Sequence, residues 1–164
     1  MNIKPTTLTR RRFLKRGMVT AGAVALPFYV PVPALGRNGT AAPSERIVMG
    51  GIGMGGRGSG DLAWMVNEPD VQWVAVCDAV KGRCDAAKNL VDAKYGNRDC
   101  AAYSDMRQFL AERTDVEAVL IATGDRWHAL AAIRAMRAGK DVYCEKPACL
   151  TMAQGQAVAE TARR

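Results

Sequence analysis

The sequence predicts an α/β fold in which an open parallel sheet carries helices on both faces. Short apolar runs alternate with segments of helical character from residue 46 to the end of the chain. Residues 116–123 are almost continuously apolar, which is typical of a parallel strand buried on both faces. A glycine-dense turn at 53–58 directly follows the first apolar run. Strands joined by helical crossovers form parallel sheets, so these observations together define the class.

The residue pattern of 1–36 predicts an export signal at the start of the chain. Six basic residues precede an uncharged stretch at 17–36, and no acid lies among the first 36 residues. They are Lys4, Arg10, Arg11, Arg12, Lys15 and Arg16. A basic region, an apolar region and a small-residue exit are expected of a cleaved signal. Residues 9–15, Thr-Arg-Arg-Arg-Phe-Leu-Lys, resemble the twin-arginine signal at every position. The alternative, a membrane anchor, is disfavoured by Pro27, Pro31 and Pro33.

The charge balance gives no indication of a nucleic-acid partner. The 164-residue chain has a formal net charge of +7, but most of that excess belongs to residues 1–36. The remainder is close to neutral and has no basic run with interleaved aromatics. Net charge bears on non-specific binding rather than on fold, so no nucleic acid is expected.

Three regions are predicted. Residues 1–36 form the signal, with small-residue cleavage sites at 32–34 or 34–36. Residues 37–45 are rich in Gly, Pro, Ala and Ser and are expected to form a linker. Residues 46–164 form one α/β domain, whose last helix stops abruptly. We therefore expect an N-terminal piece of a longer protein whose second domain lies outside this chain; a natural one-domain binder is the alternative.

Strands and helices alternate in order along the domain. Strand Ile47–Ile52 should lead to a helix around 61–67, and strand Val71–Cys77 to a helix over 82–95. Gly96 should end that helix, since glycine readily adopts the left-handed conformation of a helix terminus. The remaining predicted elements are a strand near Ala101–Tyr103, a helix over 105–112 with Ser104 as N-cap, a strand at 116–123, a helix over 128–138, a strand at 141–145 and a last helix over 151–164.

The glycine turn carries the chemistry of the first half. Its motif residues are Gly53, Met54, Gly55, Gly56, Arg57 and Gly58. Gly53 allows a tight turn, Gly55 allows the backbone to approach a pyrophosphate, and Gly58 allows the helix to pack closely on the strand. A strand, this turn, a helix, a second strand and an acid about twenty residues on form a dinucleotide-binding fingerprint. A flexible glycine linker would not explain the apolar strands on both sides.

A second register, 51–56, also fits the glycine pattern. The later register lets the first strand continue through Ile52 and places Gly58 at the helix start. Gly50 and Gly51 are poor strand residues, so they predict close backbone packing by a neighbouring element.

Asp78 ends the second strand at the distance that the fingerprint requires. Its carboxylate can accept hydrogen bonds from a ribose 2′-hydroxyl and would repel a 2′-phosphate, which favours NAD over NADP. The alternative interpretation is a strand-end aspartate that only caps a turn.

The motifs together resemble one family. They are Gly53-x-Gly55-x-Arg57-Gly58, Cys77-Asp78, residues 122–128 (Ala-Thr-Gly-Asp-Arg-Trp-His) and Glu145-Lys146-Pro147. In this order and spacing, over 46–164, they resemble the Gfo/Idh/MocA oxidoreductases. The resemblance implies a Rossmann-type domain that binds NAD, and it implies that Lys146 lies beside the nicotinamide and the reacting hydroxyl as the catalytic residue. It also places Thr123, Trp127, His128 and Glu145 in the cofactor site.

The chain departs from the family pattern in the loop after the fourth strand. Gly124 replaces a proline and Arg126 replaces a histidine of the usual Ala-Thr-Pro-Asp-His-Trp-His run. His128, the only histidine, is expected to have a structural or cofactor-shaping role, because the family's catalytic acid–base histidine lies in the second domain. We therefore expect this chain alone to turn nothing over.

The five cysteines lack the spacing of a metal site. Cys77, Cys84, Cys100, Cys144 and Cys149 include no C-x-x-C pair, so no metal is expected. Their odd number argues against a disulfide framework, and twin-arginine substrates fold before export, in the reducing cytosol. Buried free thiols are therefore expected.

The resemblance implies an exported NAD-dependent oxidoreductase that acts on a sugar, cyclitol or similar polyol. Two alternatives remain: an NAD-dependent glycoside hydrolase that works by transient oxidation, and a non-catalytic nucleotide-binding module. The expected partners are a small-molecule substrate and the twin-arginine export machinery, with a periplasmic or extracellular location. A homo-oligomer of the full-length protein is left open.

Overall fold

Five parallel strands form one sheet in the computed structural model, which describes residues 41–163. The strands are β1 (Ile47–Ile52), β2 (Val71–Cys77), β3 (Ala101–Tyr103), β4 (Ala118–Ile121) and β5 (Asp141–Cys144). Their order in the sheet is β3-β2-β1-β4-β5, and every neighbouring pair is parallel. The order reverses between β1 and β4, and such a reversal opens a crevice at the carboxyl ends of the strands.

Helices connect the strands as crossovers. They are α1 (Gly56–Met65), α2 (Lys81–Tyr95), α3 (Met106–Glu112), α4 (Asp125–Arg137) and α5 (Met152–Ala162). The predicted linker contains a short 3-10 helix, Pro43–Glu45. The predicted signal at 1–36 and the first part of the linker lie outside the described residues. Among residues 41–163, no helix combines the length and the apolar character that crossing a bilayer requires.

The sheet has an apolar core on each face, which confirms the predicted layers. On one face, Leu62 of α1 and Val91 of α2 pack with Trp73 and Leu120 of the sheet. The core of the other face brings together residues of α3, α4 and the sheet: Phe109, Ala131, Ala132, Ala135, Val119 and Ile121. Successive β4 residues point to opposite faces, so a strand covered on both faces is apolar at every position.

The two glycines of β1 make room for side chains rather than for another backbone. A Cβ on Gly50 would lie 2.6 Å from Cζ of Phe109, and one on Gly51 would lie 2.6 Å from Cε of Met54. The prediction of close backbone packing at this strand was therefore wrong: the side chains of Phe109, Met54 and Trp73 make the closest approach.

Two predicted helix starts were too late. Helix α1 begins at Gly56, five residues before the predicted start at 61, and ends at Met65. Glycine is unfavourable in a helix interior, so the run of glycines concealed the first turn. Helix α4 begins at Asp125 rather than at 128, with Gly124 as its N-cap.

The remaining differences concern caps and strand ends. Asp105, not Ser104, caps α3, since its carboxylate accepts a hydrogen bond of 2.8 Å from the backbone N–H of Arg107. Strands β4 and β5 are shorter than predicted, because the chain leaves the ladder where it enters the sheet-edge loops. Gly96 ends α2 in the left-handed conformation (φ 67°), as predicted.

Candidate active site

A cleft of about 910 Å³ lies at the carboxyl ends of β1, β2 and β4. Its walls come from the glycine turn, the end of β2, the start of α3 and the β4–α4 loop. The predicted site residues that line it are Gly53, Gly55, Gly56, Arg57, Asp78, Thr123 and Trp127. Its volume falls within the usual range for small-molecule and cofactor sites. The topology thus brings together three loops that are distant in sequence.

Gly53 and Gly58 are required by close backbone contacts. Gly53 has a φ of 88°, and a Cβ there would lie 2.5 Å from the backbone nitrogen of Thr123. A Cβ on Gly58 would lie 2.0 Å from the carbonyl oxygen of Gly53. These contacts assign the tight turn and the helix–strand contact to the register 53–58, in preference to 51–56.

Gly55 and Gly56 instead face open space. Among residues 41–163, a Cβ on Gly55 would meet only Nη1 of Arg83, at 3.6 Å, and one on Gly56 would meet nothing within 4 Å. Gly55 is the N-cap of α1, and no side chain in the described part of the chain caps this helix. The first N–H groups of a helix have no intrahelical acceptor and favour an anion. The turn therefore fits a pyrophosphate, and a side chain at Gly55 would occupy the same space.

Asp78 is buried at the edge of the cleft and is held by two backbone groups. One carboxylate oxygen accepts from the N–H of Met54 at 2.7 Å, and the other accepts from the N–H of Val80 at 2.8 Å. Asp78 therefore caps the turn, as the alternative interpretation held. Each carboxylate oxygen can accept a second hydrogen bond, so the same geometry leaves acceptors for ribose hydroxyls.

Arg57 connects the start of α1 to the end of β5. Its Nη2 lies 3.0 Å from a carboxylate oxygen of Glu145 and 3.0 Å from one of Asp61. The hydrogen bond from Arg57 lowers the pKa of Glu145, which is buried. Burial raises the pKa of Asp61, whose second oxygen has no hydrogen-bond partner among the described residues. Arg57 thus balances two acids at the sheet edge.

Lys146 follows Glu145 at the carboxyl end of β5, and its side chain is exposed. The Glu145 N–H donates to the carbonyl oxygen of Ile121 at 2.8 Å, which fixes this end of β5 beside β4. The Lys146–Pro147 peptide bond is cis. Lys146 lies on the same sheet edge as the cleft but is not among the residues that line it.

His128 joins two loops of this edge. The ring is buried, with 2% of the residue exposed. Its Nδ1 lies 2.7 Å from the carbonyl oxygen of Pro147, and its Nε2 lies 3.0 Å from that of Thr123. The ring therefore contacts the loops that follow β4 and β5, consistent with the structural role expected for it. Four predicted cofactor-site residues are not among those that line the cleft. They are Met54, Gly58, His128 and Glu145.

The sequence analysis missed three arginines that line the cleft. They are Arg83, Arg107 and Arg134. Arg107 pairs with Asp105 and lowers the pKa of that carboxyl to about 2. Arg83 lies in the first turn of α2, which begins at the carboxyl edge of the sheet, and no ion-pair partner is found for it among residues 41–163. The sequence could have indicated Arg83 as a cleft residue through its position, five residues after Asp78.

Comparison with known proteins agrees with this geometry. The chain is 35% identical over 157 residues to glycosyl hydrolase family 109 protein 1 of Bacteroides fragilis, a match that covers 88% of this chain and 34% of that protein. It is 32% identical over 169 residues to an alpha-N-acetylgalactosaminidase of Shewanella oneidensis, covering 94% and 37%. The chain thus spans about a third of the length of these curated relatives.

A similar solved structure is the myo-inositol 2-dehydrogenase of Lactobacillus plantarum. The TM-score is 0.64 at 25% identity, and the match covers 72% of this chain and 33% of that one. The Gfo/Idh/MocA profile, described as an oxidoreductase family with an NAD-binding Rossmann fold, matches residues 46–164. The glycine turn, the buried acid after β2 and the parallel sheet are what that description requires, and the chain belongs to the Gfo/Idh/MocA oxidoreductase family as its NAD-binding Rossmann domain.

Proposed function

We propose that this chain is the cofactor-binding part of an exported enzyme that uses NAD to oxidise a carbinol carbon of a sugar or similar polyol. The observation that carries the proposal is the cleft at the sheet reversal. Its floor is open at Gly55 and Gly56, and Asp78 is buried at its rim. Lys146, which lies exposed on the same edge of the sheet, is available to contact the substrate.

The positions of the residues on this edge of the sheet, together with the resemblance for Lys146, support the following roles. NAD, when bound, supplies the acceptor for a hydride from the carbinol carbon. The glycine turn and the first N–H groups of α1 would hold the pyrophosphate, and Asp78 would accept hydrogen bonds from a ribose. Lys146 would hold the substrate hydroxyl and help to move its proton, a role that a positioned amine can perform.

A second net reaction, glycoside cleavage, is favoured by the names of the relatives. The curated relatives include an alpha-N-acetylgalactosaminidase and glycosyl hydrolase family 109 proteins. In that reaction a sugar carbon is oxidised transiently and the hydride is later returned, so the cofactor half of the site is the same. The substrate class would be an α-linked N-acetylgalactosaminide.

One assay separates the two reactions. The protein produced from its complete reading frame is incubated with NAD and either a free sugar or an aryl α-N-acetylgalactosaminide. Net NADH formation from the free sugar supports the dehydrogenase, and release of the aryl group without net NADH supports the hydrolase. If neither substrate class reacts while NAD still binds, the non-catalytic module is the better account.

We also propose export through the twin-arginine pathway, on the basis of residues 9–15. In a reporter fused after residue 45, replacing Arg10 and Arg11 with lysine should retain the reporter in the cytoplasm. A matched variant that changes Lys4 to Arg should still be exported. Normal export of the double variant would exclude this pathway.

A further inference from the structure

The backbone on both sides of Lys146 is fixed by other elements. On the amino side, the carboxylate of Glu145 pairs with Arg57. The backbone N–H of Glu145 donates to the carbonyl oxygen of Ile121 in β4. On the carboxyl side, the carbonyl oxygen of Pro147 lies 2.7 Å from Nδ1 of His128. An exposed, flexible lysine is thus attached to a short segment that is anchored at each end.

Of the two contacts of the His128 ring, the one to the carbonyl oxygen of Pro147 anchors this segment. A neutral imidazole carries an N–H on one nitrogen only. Both neighbours are carbonyl oxygens, so a neutral ring can donate to one of them. The contact to Pro147 is the shorter, 2.7 Å against 3.0 Å for Thr123. The Pro147 carbonyl oxygen can only accept, so this contact is a hydrogen bond when Nδ1 carries the hydrogen.

We propose that His128 is a positioning residue for Lys146, acting through the hydrogen bond that Nδ1 donates to the Pro147 carbonyl. The proposal rests on the proposed function, which assigns the substrate hydroxyl to Lys146. His128 touches no reacting atom in this account. It sets where the lysine amine stands relative to the cleft, and misplacement by about 1 Å can lower turnover by roughly a hundredfold.

Two substitutions separate this hydrogen bond from a general packing role. The amide nitrogen of an asparagine can occupy the place of Nδ1, whereas that of a glutamine can occupy the place of Nε2. In the protein from its complete reading frame, His128→Asn should therefore keep kcat within a few-fold of the parent. His128→Gln should lower kcat by roughly tenfold to a hundredfold, and kcat should fall far more than NAD affinity does.

Lys140 offers a matched structural control. Its buried ammonium donates to the carbonyls of Thr114 and Val116, at 3.0 and 2.6 Å, so it bridges the same two strands at their opposite, amino edge. Lys140→Met should lower the melting temperature and leave kcat unchanged. Amide hydrogen exchange over 145–151 provides a readout apart from activity, and it should accelerate in His128→Gln but not in Lys140→Met.

The outcomes distinguish this proposal from the proposed function. Parent-like turnover in Lys146→Ala would contradict the proposed function. If Lys146→Ala loses turnover, then parent-like kcat and parent-like exchange of 145–151 in His128→Gln would overturn the positioning role. Equal losses in His128→Asn and His128→Gln would overturn it too, because a packing defect does not depend on which nitrogen donates.

Discussion

The carboxylate of Asp78 caps the glycine turn and still has acceptor positions that a ribose could use. It accepts backbone N–H groups from Met54 and Val80, which orients it, and each oxygen keeps a further acceptor position. Sequence spacing alone treated the turn cap and the ribose ligand as alternatives. The geometry makes them compatible, since the cap fixes the acid at the rim of the cleft.

We expect Asp78 to determine the preference for NAD over NADP. Asp78→Asn removes the negative charge but keeps an acceptor oxygen. The variant should bind NAD more weakly, by about 1.5–3 kcal/mol for a hydrogen bond to a charged group. Its affinity for NADP should rise relative to NAD, because repulsion of a 2′-phosphate is removed. Calorimetric titrations of both cofactors measure this ratio, and tighter NADP binding by the parent would contradict the assignment.

Lys146 should matter for turnover far more than for cofactor binding. Its side chain is exposed beyond the anchored end of β5, apart from the glycine turn and Asp78. In the protein from its complete reading frame, Lys146→Ala should lower kcat by roughly two to four orders of magnitude. The NAD dissociation constant should change little. Steady-state kinetics and fluorescence titration provide the two readouts, and near-parental turnover would show the role to be mistaken.

At the level of elements, α1 contains two glycines whose surroundings differ, and this difference can be tested. A Cβ at Gly58 would lie 2.0 Å from a backbone oxygen, whereas a Cβ at Gly60, in the same helix, would meet nothing within 4 Å. Gly58→Ala should destabilise the protein by about 1–3 kcal/mol or more, since the backbone must shift. Gly60→Ala should stabilise it by about 1 kcal/mol through helix propensity. Urea unfolding measures both, and equal effects would contradict the packing argument.

The end of α2 is fixed by a partly buried ion pair. Asp92 pairs with Lys88 at 2.8 Å and accepts from the N–H of Cys100, which connects the helix to the loop before β3. The hydrogen bond from Lys88 lowers the pKa of Asp92. The resulting stabilisation is fully present above the ordinary aspartate pKa of ~3.9. It is lost as the pH falls through the lowered pKa of the folded state.

Asp92→Asn should therefore lower the melting temperature at pH 7 by roughly 4 °C, the shift that about 1 kcal/mol produces in a domain of this size. The difference from the parent should shrink at pH 3, because Asp92 of the unfolded parent is then largely protonated and the unfolded state gains relative to the folded one. Calorimetric scans at both pH values measure it. A difference that stays constant between pH 7 and pH 3 would show that the ion pair does not contribute.

The sequence predicted elements better than the links between them. The boundaries of β2 were predicted correctly because seven apolar-rich residues stand between clear turn signals, while the start of α1 was missed because its glycines resemble a loop. The Arg57–Glu145 pair spans 88 positions, and the His128–Pro147 contact depends on a strand pairing. Local patterns predict neither, since both arise only when β4 and β5 lie side by side.

At the scale of the whole molecule, the cysteines of the core are expected to react slowly because they are buried. Cys77, Cys84 and Cys100 are buried as free thiols, and burial raises the pKa of Cys77 and Cys100 to about 12. Reactive cysteines depend on their thiolate form, so these thiols belong to packing rather than chemistry. The candidate site residues that line the cleft lie at the carboxyl edge of the sheet.

We infer that the open glycine turn is the NAD site of this chain. The most direct measurement is calorimetric titration of this chain with NAD, in the parent, in Gly55→Leu and in Gly60→Ala. A Cβ at Gly55 would meet Nη1 of Arg83 at 3.6 Å and no other atom of residues 41–163 within 4 Å, so Gly55→Leu should still fold, at a cost of about 1 kcal/mol for a poorer N-cap, yet lose measurable NAD binding. Gly60→Ala should bind as the parent does. Parent-like NAD affinity in a folded Gly55→Leu variant would contradict the account.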